Sequence, residues 1–146
     1  MKTVKKNVYY CDYCNKRGLS ASHIMKHENH CTANPDRECR LCESGIDLTK
    51  IIDKLKTRFR VNIKEEEEPE GWFTEEVEWI GKEITVDEIR DLADDCPNCM
   101  LAIIRQSGLS HPAVNLGFKY REENAKYWQD KMNEESRQQE YESIYY

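Results

Sequence analysis

Long hydrophobic runs are missing from this chain. No stretch approaches the roughly 20 consecutive apolar residues of a membrane-crossing helix, so no membrane partner is expected. A charged-then-apolar leader is also missing: Lys2, Lys5 and Lys6 run directly on into Tyr9, Tyr10 and Cys11. An intracellular protein, cytoplasmic or nucleoid-associated, is therefore expected. In such a reducing compartment paired C-x-x-C motifs signal metal rather than disulfides. Apolar residues are scarce, at 38% against 34% charged, and mean hydropathy is −0.89. A 146-residue chain of that composition buries a modest core and needs staples. Also lacking are an H-E-x-x-H pair, a phosphate loop and a dinucleotide fingerprint. No internal repeat is visible.

Cysteine, by contrast, is plentiful. There are seven, with four histidines, and their spacing is informative. Cys11 and Cys14 are two residues apart, so both sulfurs of a tight turn can face one metal. Twelve residues precede His27 and three more precede Cys31. On a helix, positions four apart share a face, so His27 and Cys31 can complete a tetrahedron of soft donors. That donor set points to zinc.

Residues 9–31 resemble the classical two-Cys, two-His zinc-finger family, in the variant whose last ligand is Cys. Tyr9 stands where the family has an aromatic two before the first Cys, and Ile24 where it has a Leu three before the first His. The chain departs from the pattern at Gly18, where the family's mid-finger aromatic would fall, with only Leu19 beside it. The resemblance implies a ββα finger. His30 is a rival for the fourth ligand, but its spacing from His27 is too short for the family pattern.

A second C-x-x-C, Cys39 and Cys42, follows in the manner of a zinc knuckle, and a third lies at Cys96 and Cys99. Parity then closes. One site takes Cys11, Cys14, His27 and Cys31; the other takes Cys39, Cys42, Cys96 and Cys99. Every Cys is used, and one His ligand explains the odd count. The 53 residues between Cys42 and Cys96 are no bar, because loop-closure entropy rises slowly with length. The rivals are two independent thiol pairs or a redox-active C-x-x-C, which normally opens a helix in a βαβ unit that is absent here. Two zinc ions per chain are expected as cofactors.

Between the ligands the periodicity predicts a mostly α, zinc-stabilised α+β protein. It would consist of a finger (1–33), a helical four-Cys body (34–117) and a C-terminal helical tail (118–146). The finger helix should span about Ser20 to His30 and end before Asn34-Pro35-Asp36. Asp47 should cap a helix from Leu48 whose apolar positions are Leu48, Ile51, Ile52, Leu55 and Phe59. Its opposite face is basic, fit for phosphate or simply for solvent. The run from Lys64 to Glu70 reads as an exposed loop. Trp72 to Ile84 is ambiguous, though Val77 and Trp79 alternate with glutamates and Arg60–Ile63 can pair with them. Thr85 and Glu88 form a capping box. Met100, Leu101, Ile103 and Ile104 then make a helix stopped at Ser107-Gly108, and Leu109–Gly117 is a loop. The tail helix, about Phe118 to Glu140, has a sparse stripe of Tyr120, Tyr127, Trp128 and Met132.

Charge is divided unevenly. Residues 1–60 hold 13 Lys or Arg and 7 Asp or Glu, giving +6; residues 61–146 hold 9 and 21, giving −12. Only the basic head suits a polyanion. In the finger family four helix positions face the bases, and here they align with Ser20, Ser22, His23 and Lys26; Lys16 and Arg17 would lie near the backbone. One finger reads about three base pairs, which gives little specificity alone. The other reading is a protein partner, with Tyr127, Trp128, Tyr141, Tyr145 and Tyr146 as anchors unless they pack the tail onto the body. Two C-x-x-C pairs also occur in HNH-type nucleases, and His111-Pro-Ala-Val-Asn115 offers a His and an Asn. The second His is missing, because the other three lie in the finger. A non-enzymatic accessory or regulatory factor is expected. Its format resembles the small zinc-finger proteins of phage and bacterial genomes.

Overall fold

The computed structural model describes residues 1–42, 45–65 and 73–145. Five helices and two small antiparallel sheets make up the described residues, a small α+β arrangement. None of the helices is long and apolar enough to cross a membrane. Residues 66–70 of the acid-rich run, together with Trp72 and Tyr146, lie outside the described residues.

The chain opens with a hairpin of β1 (Tyr9–Tyr10) and β2 (Arg17–Gly18), in which Tyr9 faces Gly18 and Tyr10 faces Arg17. Helix α1 (Ala21–His30) packs on it. Gly18 leaves room for this approach, and any larger residue there would push the Ile24 side chain aside. A Cβ there would lie 2.9 Å from Ile24 Cδ1, closer than side-chain carbons pack. Ile24 is packed against Gly18 and buried with Cys11 and Cys31.

Helix α2 (Thr49–Lys56) starts one residue later than Leu48, with Asp47 Oδ1 accepting from the Thr49 N–H at 3.0 Å. Ile52 and Leu55 are its buried positions. The helix stops where Thr57 Oγ1 donates to the Lys54 carbonyl. Phe59 therefore does not continue the helical stripe. It is the first residue of β3 (Phe59–Glu65), which pairs antiparallel with β4 (Phe73–Trp79), from Phe59 opposite Trp79 to Glu65 opposite Phe73. The Phe59 and Trp79 rings meet at 5.9 Å, and both pack against the core. The alternation around Val77 is thus a strand, and the pairing is longer than Arg60–Ile63.

Helix α3 (Val86–Leu92) is capped by Thr85, whose Oγ1 accepts from the Glu88 N–H at 3.3 Å. The Glu88 carboxylate turns instead to Arg58, so the capping box is completed on one side only. Helix α4 (Pro97–Ser107) begins three residues before Met100, with Pro at its first turn, where a missing N–H is harmless. It ends at Gly108, whose φ of 86° is the left-handed conformation that favours glycine. α4 is the centre of the body. Met100 and Ile103 are fully buried, against Leu55 of α2 and Ile89 of α3. The 109–117 loop adds Leu109 and Val114 to the same core.

Helix α5 (Tyr120–Tyr145) is held at its start by polar contacts. Arg90 donates to both oxygens of Glu123 at 3.0 and 2.6 Å, and the guanidinium holds that carboxyl below its usual range. Tyr120 donates to Asn98 and Tyr127 to the Leu41 carbonyl. None of its residues is buried. The sparse apolar stripe does not become core because the packing ends after the first turns.

Candidate metal centres

Two four-donor clusters occur among the described residues. They comprise Cys11, Cys14, His27 and Cys31, and Cys39, Cys42, Cys96 and Cys99. Within each, the ligand atoms lie within 4.8 Å of one another. All seven cysteines are free thiols.

The finger cluster is assembled locally. Cys11 follows β1 and Cys14 closes the turn that Asn15 makes at a φ of 58°, a conformation asparagine tolerates. The Cys11 carbonyl accepts from the Asn15 N–H at 3.0 Å, and the Lys16 carbonyl from the Cys11 N–H at 2.9 Å. His27 lies in α1 with Nε2 3.1 Å from Cys14 Sγ. Cys31 is not within the helix but caps it, in extended conformation, with its N–H donating to the Glu28 carbonyl. Burial and the nearby positive charge of Lys16 keep the His27 imidazole below its ordinary pKa, favouring the neutral form that ligates. Burial raises the Cys31 thiol to about 11. For Cys14, burial is outweighed by hydrogen bonds from the Lys16 backbone and the Cys31 and Cys11 thiols, and its pKa falls. His30 is outside the cluster. Its Nδ1 lies 2.9 Å from the Glu38 carbonyl and must donate to it.

The four-Cys cluster is assembled across the fold. Cys39 and Cys42 come from the segment after the finger. Cys96 is the N-cap of α4, and Cys99 lies in its first turn. Sulfur separations are 3.7 Å for Cys39–Cys96 and 3.6 Å for Cys42–Cys99. Those are far beyond a disulfide of about 2.05 Å. A tetrahedral centre with metal–sulfur bonds of about 2.3 Å places its sulfurs about 3.8 Å apart. The spacing fits a metal. The α4 N-terminus also faces two of the sulfurs, and a helix dipole favours negative charge there. A hydrogen bond from Cys96 brings Cys99 down to about 5, with Arg37 adding to the effect. Cys96, the donor in that contact, is pushed strongly upward. Crowding lets the first thiolate form readily and opposes the next, and a cation in the centre removes that opposition.

Arg37 is the functional residue that spacing does not reveal. Its Nη1 lies 3.9 Å from Cys99 Sγ, and its Nε is buried with no hydrogen-bond partner among the described residues. Four thiolates around a divalent ion leave two net negative charges, and a half-buried guanidinium offsets part of them. The available signal was a cation two residues before Cys39. Arg37→Gln is expected to speed metal release from the four-Cys cluster to a chelator by roughly tenfold, the low end for such supporting partners, with finger release unchanged. Equal rates for wild type and variant would remove Arg37 from the site.

The segment joining the clusters is fastened on both sides. Asn34 Nδ2 donates to the Glu28 carbonyl at 2.8 Å and the Glu38 N–H to the Asn29 carbonyl at 2.9 Å, satisfying the end of α1. From α4, Gln106 Nε2 donates to the carbonyls of Thr32 and Asn34, and Arg105 Nη1 to Thr32 Oγ1.

Of the residues expected to meet nucleic acid, Lys16 and Arg17 lie on the exposed hairpin side, and Ser22, His23 and Lys26 are exposed on α1. Ser20 precedes the helix, half-buried, its Oγ 3.0 Å from Ser22 Oγ. His111 is engaged at both nitrogens: Nδ1 accepts from the Ala113 N–H, and Nε2 lies 3.1 Å from Glu75. No family model, curated protein or solved structure matches this chain, so its own two ligand clusters carry the assignment.

Proposed function

We propose that this is a non-enzymatic, two-zinc protein that contacts nucleic acid through its finger. The observation that carries the metal assignment is the pair of four-donor clusters, three sulfurs with one imidazole nitrogen and four sulfurs. Soft thiolate and imidazole donors at tetrahedral spacing suit zinc. A catalytic zinc keeps a position for water, whereas four protein ligands fill the shell. Both sites are read as structural.

Charge distribution supports the nucleic-acid reading. Residues 1–31 hold six Lys or Arg, namely Lys2, Lys5, Lys6, Lys16, Arg17 and Lys26, against Asp12 and Glu28. All six are exposed. An exposed surface with six cations against two acids, on an otherwise acidic protein, is suited to phosphate. A second reading, a protein partner, is favoured by the exposed Trp128, Tyr141 and Ile144 of α5.

The test is a binding titration with labelled duplex and single strand at two salt concentrations. Each phosphate neutralised steepens the log–log salt dependence by about 0.9 on duplex. Three such contacts from the exposed cations of residues 1–31 give weak binding with a slope of about −2.7. Absence of salt-sensitive binding even at low ionic strength would end this reading and leave the protein-partner one.

A further inference from the structure

Resting on the nucleic-acid reading, we infer that the contact is made by the outer face of the β1–β2 hairpin rather than by α1, and that it takes a single strand whose bases stack on Tyr10. The inference starts from register. Gly18 directs its absent Cβ at Ile24 of α1, so the Tyr9–Gly18 pair lies on the side that faces the helix. Successive strand residues point to opposite faces. The neighbouring pair, Tyr10 and Arg17, therefore points away from α1 into solvent. Directly opposite residues on one face hold their Cβ atoms about 5 Å apart, so a phenol ring and a guanidinium stand side by side. Tyr10 is 56% exposed and Arg17 is exposed.

The surroundings extend this pair. Tyr13, also exposed, sits in the turn that follows Tyr10, and Lys16 precedes Arg17 on the return strand. Lys2, Lys5 and Lys6 lie on the exposed lead-in that runs into β1. A ring flanked by cations is the arrangement that binds single strands: the charges follow the backbone and each base offers a π-face to the ring. In a duplex those faces are already stacked on neighbouring bases. The outward face of α1 offers far less. Ser22, His23, Met25 and Lys26 are exposed there, and Lys26 is the one permanent charge. Ser20 and Ser22 are engaged with each other.

The experiment titrates the full-length, metal-loaded protein with four fluorescein-labelled probes: 15-nucleotide deoxyribose and ribose single strands, and a duplex of each. Single strands of one or both sugars are expected to bind tighter than duplex, and their comparison separates DNA from RNA as the source. Tyr10→Ala is expected to weaken single-strand binding by roughly five- to a hundredfold, the range for losing one stacked base. Tyr10→Phe should retain it, and zinc content should stay at the wild-type value in both, because Tyr10 is outside the finger core. The double variant His23→Ala, Lys26→Ala should cost much less. If that double variant abolishes binding while Tyr10→Ala does not, or if duplex is preferred, α1 is the contact and the hairpin inference falls, although the nucleic-acid reading stands. If wild type binds none of the four probes, both fall together.

Discussion

Replacing Cys96 by Ser is expected to unfold the body. Cys96 is fully buried, caps α4 and stands 3.7 Å from Cys39 across the centre. A serine hydroxyl does not replace the thiolate, so the metal keeps three protein ligands and the α4 N-terminus loses its tie to Cys39. α4 also supplies Met100 and Ile103, both fully buried, to the shared core. Its displacement therefore spreads to α2 and α3. Apparent zinc-binding energies of structural sites are about 10–16 kcal/mol at neutral pH, while whole domains are stable by about 5–15 kcal/mol. Losing even half of the former removes the cooperative transition. Thermal melting by circular dichroism should show this, and a melt within a few degrees of wild type would sink it. Backbone resonances of residues 9–31 are expected to persist, since Cys11, Ile24 and Cys31 form a separate core. Their simultaneous loss would mean that the hydrogen bonds from Arg105 and Gln106 make one cooperative unit.

The second large effect is on metal content. Cys31→Ser should lower zinc from two equivalents per chain to one, whereas His30→Ala should leave two. Cys31 is buried among the ligands, while His30 is committed to the Glu38 carbonyl. Losing that one hydrogen bond costs about 1 kcal/mol, which lowers the finger's melting point without emptying it. Elemental analysis of purified variants checks both, and the reverse pattern would make His30 the fourth ligand.

The ligand set was the most legible part of the molecule, because it rests on spacing and parity, which are properties of the chain alone. His27 illustrates this: two cysteines before it and one after it leave one plausible partnership. Elements with a local signal were legible too, such as α3 behind Thr85 and α4 before Gly108. Boundaries blurred where two periodicities agree. Phe59 suits a third turn of α2 and equally the first residue of β3; the Thr57–Lys54 bond decides, and hydropathy does not report it. The 109–117 loop carried no periodic signal, yet Leu109 and Val114 are core. Contacts made across the fold were not legible at all. Arg37 and Cys99 are 62 positions apart, and Gln106 and Thr32 are 74 apart. Beyond the place of Arg37 two residues before Cys39, nothing local to either member points to the other. Face assignment in the finger also needed coordinates, since it is the Gly18–Ile24 approach that tells which hairpin side is outward.

The order of ligands along the chain bears on synthesis. A ribosome releases Cys31 before Cys39, and from that point the finger has all four of its donors. Cys42, however, leads Cys99 by 57 residues. At about 5–20 residues per second, the first half of the four-Cys centre waits about 3–11 s for the second. During that interval Cys39 and Cys42 are a bare dithiol beside a finger that is already complete. If both clusters take a metal, the first would fill before the second, and the dithiol of the second would be most open to oxidation while the chain is still being made.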